Sequence, residues 1–144
     1  MKVTYAHLCD YASVSREGKL SAMGIFDRIF VHALPSVQPI MYLAFGLELR
    51  PAELDRQFDL LIKLVEQDGK SLVEMISQGK VAAAATQPGQ PIGAPQIFAL
   101  AGVPLEREGT FSLDIFLNSD HKASATFAVQ LLPPGQDTPL GLAQ

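Results

Sequence analysis

The alternation of apolar and polar residues on either side of Asp68-Gly69 constrains this chain more than any other feature. Phe58, Leu60, Ile62 and Leu64 take every second position, interleaved with Gln57, Asp59, Leu61, Lys63 and Val65. That is the period of a half-buried strand. Asp-Gly is a favoured pair for a two-residue type I′ turn, whose residues both take positive φ. Closing the chain there sets Gln67 opposite Lys70, Leu64 opposite Val73 and Ile62 opposite Met75, with Lys63 facing Glu74 on the other side. An opposite-charge pair directly across two antiparallel strands is stabilising. Pattern, turn and charge agree on one register, which predicts an antiparallel hairpin over 57–77.

A second hairpin is expected over 110–132. Phe111, Leu113, Ile115 and Leu117 form one apolar row, and Ala123, Ala125, Phe127, Val129 and Leu131 form another. A one-residue slip sends every side chain to the other face, so a two-residue loop at Asp120-His121 would set Ile115 against Thr126. A three-residue loop at Asp120, His121 and Lys122 instead pairs Leu117 with Ala125 and Ile115 with Phe127. Further strands are read at 3–8, 19–33, 41–49 and 96–103. In the 19–33 segment neither side is plainly polar, with Ile25, Asp27, Ile29 and Val31 on one and Phe26, Arg28, Phe30 and His32 on the other. It reads either as covered on both faces or as meeting another subunit through Phe26 and Phe30.

Helical signals are short. Pro51-Ala52-Glu53-Leu54-Asp55 suits one turn with proline at its first position. Lys80 to Ala85 has helical propensity but is too brief to stand alone, and it reads as a strand end entering a Pro/Gly-rich loop at 87–95. About eight strands without a crossover helix predict an all-β fold, an antiparallel two-layer sandwich with little or no helix. The 144 residues fit one domain, read as 1–132, followed by a Pro/Gly-rich tail at 133–144. A chain of that length buries roughly two-thirds of its unfolded surface without disulfide or metal support.

Composition excludes several function classes. Net charge is −4 and the basic residues are scattered singly, whereas nucleic-acid binders cluster Lys and Arg against phosphate. No window approaches the ~20 apolar residues of a membrane helix, and the start Met1 to His7 lacks a secretory apolar region, so a cytoplasmic location is expected. Phosphate-loop and dinucleotide fingerprints are absent. Only 18% of residues are charged, below the ~25% of ordinary globular domains. That deficit suits either alanine- and leucine-filled strands or a surface covered by self-association.

The polar clusters read more simply as structure than as chemistry. His7 and Cys9 share a strand face, but a zinc site needs further Cys or His ligands, and only His32 and His121 remain. Cys9 as a nucleophile would need a base to form its thiolate, and it reads instead as a buried structural thiol. Ser119-Asp120-His121 is turn chemistry, because consecutive residues cannot place the base between nucleophile and acid. Loop aspartates Asp10, Asp55, Asp68, Asp120 and Asp137 show no D-x-D repeat of a calcium loop. Gly18 suits a turn and Gly24 a bulge or tight bend; Asp10 and Asp27 suit turn caps. The expectation is no catalytic, cofactor-binding or metal residue and no cofactor.

The run Cys9-Asp10-Tyr11-Ala12, then Gly18-Lys19-Leu20, then Gly24-Ile25-Phe26-Asp27-Arg28-Ile29 with Pro35 beyond resembles a family of small bacterial proteins of unknown function. The likeness covers about the first third of the chain in residues and the remainder in layout. It implies a cytoplasmic bacterial β-sandwich and transfers no active-site residue. The expected function is a non-enzymatic binding or interaction module that meets a protein partner or a second copy, with Phe26 and Phe30 marking the suspect surface. Two alternatives stand beside it. One is a small-molecule or enzymatic site at one end of the sandwich, drawing on His7, Asp10, Asp27 or His32. The other is a structural subunit of a larger assembly.

Overall fold

A computed structural model describes residues 1–83 and 89–135. Its strands are β1 (Lys2–Val14), β2 (Leu20–Phe26), β3 (Arg28–Val31), β4 (Ser36–Leu49), β5 (Phe58–Glu66), β6 (Ser71–Gly79), β7 (Ile92–Leu105), β8 (Gly109–Leu117) and β9 (Asp120–Leu131). They form two sheets, ordered β2-β1-β4-β7 and β3-β9-β8-β5-β6. All pairs are antiparallel except β3 with β9, which is parallel. A 3-10 turn at Pro51–Glu53 is the only helical element among the described residues; it has proline at its start, and no helix is long and apolar enough to cross a membrane.

The sheets bury the rows that alternation selects. Met41, Leu43, Phe45, Leu47 and Leu49 of β4 face Leu60, Ile62 and Leu64 of β5 and Phe111, Leu113, Ile115 and Leu117 of β8 in one core. Phe111 stacks on Phe127, with ring centroids 5.5 Å apart, and Phe45 stacks on Phe98 at 5.9 Å.

The β5–β6 register is the one the sequence predicts: Ile62 faces Met75, Lys63 faces Glu74 and Leu64 faces Val73. The turn that produces it is different. Gly69 N–H donates to Glu66 O and Glu66 N–H donates to Lys70 O, each at 2.9 Å. The loop is therefore Gln67-Asp68-Gly69, with positive φ at Gly69 alone (φ 90). This longer loop shifts the register by one, and a bulge between Leu64 and Val65 shifts it back. The Asp68 carboxylate accepts the Lys70 N–H at 3.0 Å, which favours this turn over the type I′ form.

The β8–β9 hairpin departs further. Its loop is Asn118-Ser119, both at positive φ (48 and 70), and not Asp120 to Lys122. Leu117 consequently faces Asp120, Leu113 faces Ala125 and Phe111 faces Phe127. A bulge after Ile115 keeps the apolar rows on one face, so the side of each residue is as expected while its partner is not. Asn118 fixes the turn by tertiary contacts: its N–H donates to Asp59 O at 2.9 Å, and its Oδ1 accepts the Asp59 N–H at 2.9 Å.

The 19–33 segment is two strands in different sheets. Phe26 faces Leu8 at the end of β2, the chain crosses at Asp27, and β3 joins β9. Both sides carry apolar residues because the inward face changes at the crossing: Phe26 packs against the core, as do Ile29 and Val31, whereas Phe30 is half-buried. β7 begins at Ile92, so 92–95 is strand where a loop is expected; 84–88 and the tail beyond 135 lie outside the described residues.

Candidate functional site

β1 pairs with β4 only from Lys2 to Cys9 and with β2 only from Leu8 to Val14. Beyond Cys9 the β1–β2 hairpin is thus detached from β4. Gly18 and Leu20, near its tip, line a small depression together with Tyr5, Gly46 and Pro95. The hairpin has folded back over the outer face of its own sheet. Beneath it Cys9, Ala12 and Ala44 are buried as a second small core, with Leu20, Ala22, Tyr42 and Ile97 packed around them. The bend lies at Gly24, whose φ of 68 belongs to glycine. A Cβ there would overlap the Asp10 carboxyl carbon, at 2.8 Å.

This cover explains Cys9. Its side chain is fully buried and its Sγ–H donates to Tyr42 O at 3.8 Å. Burial, with the Asp10 charge second, raises the thiol above its usual pKa, although a hydrogen bond with the Tyr11 backbone lowers it. A thiol held protonated under a lid of side chains is no nucleophile.

The solvent side of the same hairpin is apolar. Tyr11, Met23 and Ile25 are 51%, 66% and 57% exposed, with Met23 directly across from Tyr11 and Ile25 across from Cys9. Tyr11 meets Tyr42 edge-on at 5.4 Å, and Ile40, 44% exposed, lies two residues before Tyr42 on β4. Half-exposed side chains of this size together present on the order of 400 Å², comparable with the largest patch of an ordinary monomer.

The residues proposed for an end-of-sandwich site do not converge. His7 and Asp27 line one open depression of about 460 Å³ with Phe26 and Ser124, where β1 passes the crossover and β9. Asp10 lines another, with Arg28 and Gln38. His32 follows β3 on exposed chain and lines neither. His7 is stacked on Tyr5 at 5.8 Å. Among the described residues no three His, Cys, Asp or Glu side chains gather as a metal cluster.

Two polar clusters escaped the sequence reading. On the outer face of the five-stranded sheet, Ser124 Oγ donates to Asp114 Oδ1 at 2.7 Å and lies 2.8 Å from His121 Nε2. Serine stands between the other two, and Asp114 takes its proton directly. A nucleophilic triad needs histidine in the middle, so these residues make a polar surface and not an active site. The Asn118-Ser119 loop alone would set Asp114 opposite Ala123, and the bulge after Ile115 is what brings it opposite Ser124. The second cluster lies at one end of the sandwich, where Glu66, buried at 6% exposure, accepts a 2.7 Å bond from Arg107 Nη2. Asp68 is 3.7 Å from the same guanidinium. Glu66 and then the other acids raise the Arg107 pKa, and the guanidinium sets its charge against the buried carboxylate.

The sequence profile of a family of unknown function, DUF6941, matches residues 4–130. The chain belongs to the DUF6941 family. The match spans both sheets and all nine strands, the folded-back hairpin included. Comparison with curated proteins finds no match. Among solved structures, the DUF6941 chain is similar to an immunoglobulin-like protein from Pseudomonas aeruginosa at 15% identity, over 88% of this chain and 98% of that one, with a TM-score of 0.36. None of the three comparisons assigns a function.

Proposed function

We propose that this DUF6941 chain is a non-enzymatic protein-interaction module of the bacterial cytoplasm, with the solvent side of the β1–β2 hairpin as its contact surface. The carrying observation is the grouping of Tyr11, Met23, Ile25 and Ile40, all exposed, around Tyr42. Isolated exposed apolar residues are normal, but a contiguous group marks a contact site. The opposite sheet provides the contrast, since Glu74, Lys63, Asp114 and Ser124 run across its outer face as one polar row. Phe26 and Phe30 contribute less than their sequence suggests, being half-buried. The cytoplasmic and bacterial setting rests on the family resemblance and on a buried, unpaired thiol.

A photo-crosslinking residue placed at position 23 or 25 in living cells tests this reading. Discrete adducts are expected there, and none at position 76, where a lone isoleucine is exposed on the other sheet. Equal labelling at all three positions, or none at 23 and 25, would overturn the proposal.

A further inference from the structure

Each sheet has two outer strands, and three of the four are protected against pairing with another chain. β2 is seven residues long and bends at Gly24, β3 has four residues, and β6 carries Glu74 on an edge already distorted by a bulge. Short strands, charges and bulges are the usual means of blunting an edge. β7 runs for fourteen residues, Ile92–Leu105, without one charged side chain, and its two prolines, Pro95 and Pro104, lie outside its middle. Among the described residues it pairs only with β4. Pro95 and Gly102, the latter at φ 64, interrupt it and leave Gln96 to Ala101 as a regular window. Phe98 stacks on Phe45 yet stays half-buried because it stands at this open side.

We infer that the β7 edge pairs with β7 of a second copy, antiparallel about a two-fold axis at Ala99, joining two four-stranded sheets into one of eight. An uncharged strand is its own complement in this arrangement, since each residue i meets j while j meets i. Residues 97–101 of each strand then pair and give about four to six main-chain hydrogen bonds, near the lower end of the ~10 ± 5 of ordinary interfaces. A window about 17 Å long on a sandwich about 20 Å thick buries about 340 Å² per copy. That area falls below the ~1,200 Å² total of the standard class, so the dimer is a weak, concentration-dependent one. The surface is separate from the hairpin surface above and does not depend on it.

The experiment is sedimentation equilibrium of the whole chain from about 1 to 200 µM, a range that brackets micromolar dissociation. The wild type should pass from the 15.5 kDa monomer toward twice that mass. Ala99 and Ala101 are exposed on the outer face, and the double variant A99K/A101K should stay monomeric with unchanged circular dichroism and melting. The double variant M23E/I25E should dimerise like the wild type. Amide exchange at 97–101 should slow with concentration in the wild type alone. A wild type monomeric throughout, a dimer that persists in A99K/A101K, or one that M23E/I25E abolishes would each overturn the inference.

Discussion

Replacing Gly24 by alanine tests whether the folded-back hairpin is a separate unit of stability. At φ 68 an alanine costs about 1–2 kcal/mol through contact of its Cβ with its own backbone. The new methyl also meets the Asp10 carboxyl group, whose carbon would be 2.8 Å away, but that exposed side chain can rotate aside. The backbone cost therefore dominates and falls on the bend. At 1.4 kcal/mol per tenfold, it raises the population of the opened hairpin about 5- to 30-fold. The single cysteine reports this directly, because Cys9 is fully covered and reacts with a thiol reagent only when the cover lifts. Native-state labelling of G24A should be faster by that factor, and G24A/D10A should label no faster than G24A. Phe127→Ala, in the other sheet's contribution to the core, should lower the urea midpoint far more than it accelerates labelling. If G24A labels at the wild-type rate, or if labelling follows the urea midpoint across both variants, the hairpin does not open on its own.

Two further outcomes follow from local geometry. Asn118→Gly keeps the positive φ but loses the bond to the Asp59 N–H, at about 1 kcal/mol. Asn118→Ala adds the left-handed penalty, for about 2–3 kcal/mol in total, so equal urea midpoints for the two would contradict the turn assignment. Glu53 supplies a pH signature: its carboxyl is pulled to about 2 first by the Met1 ammonium and then by the Arg50 N–H. A depressed carboxylate stabilises the fold above its unfolded pKa of ~4.3 and loses that contribution as pH falls toward 2. Glu53→Gln should cost about 1 kcal/mol at pH 7, the pair being near solvent. Its deficit in urea unfolding should close between about pH 5 and 2, and a constant deficit would count against the pair.

Much of the architecture is legible before any coordinates because alternation is a local code. Phe58 to Leu64 and Phe111 to Leu117 announce their buried faces, and Lys63 with Glu74 supports the register. Partners across a loop are less legible, since turns of different length can be compensated by a bulge. Both long hairpins do this, at Leu64/Val65 and at Ile115/Phe116. Asn118 gives no local signal because its left-handed conformation is secured by Asp59, fifty-nine residues away. No pattern near residue 118 carries that information.

The candidate surfaces divide in the same way. Tyr11, Met23 and Ile25 look in the sequence like ordinary strand residues, and Ala12, Ala22 and Ala44 look like fillers on a solvent face. Their roles separate only when the bend at Gly24 lays one side of the hairpin on the sheet and turns the other to water. Low charge and the apolar run of β7 are likewise visible in the sequence, but only the strand order makes β7 an edge. Strand periods, the sandwich and the absence of charge along β7 follow from residue order alone. The tertiary structure decided which apolar faces are buried twice and which are left exposed. Burial depends on what folds over a face, and no side chain encodes that alone.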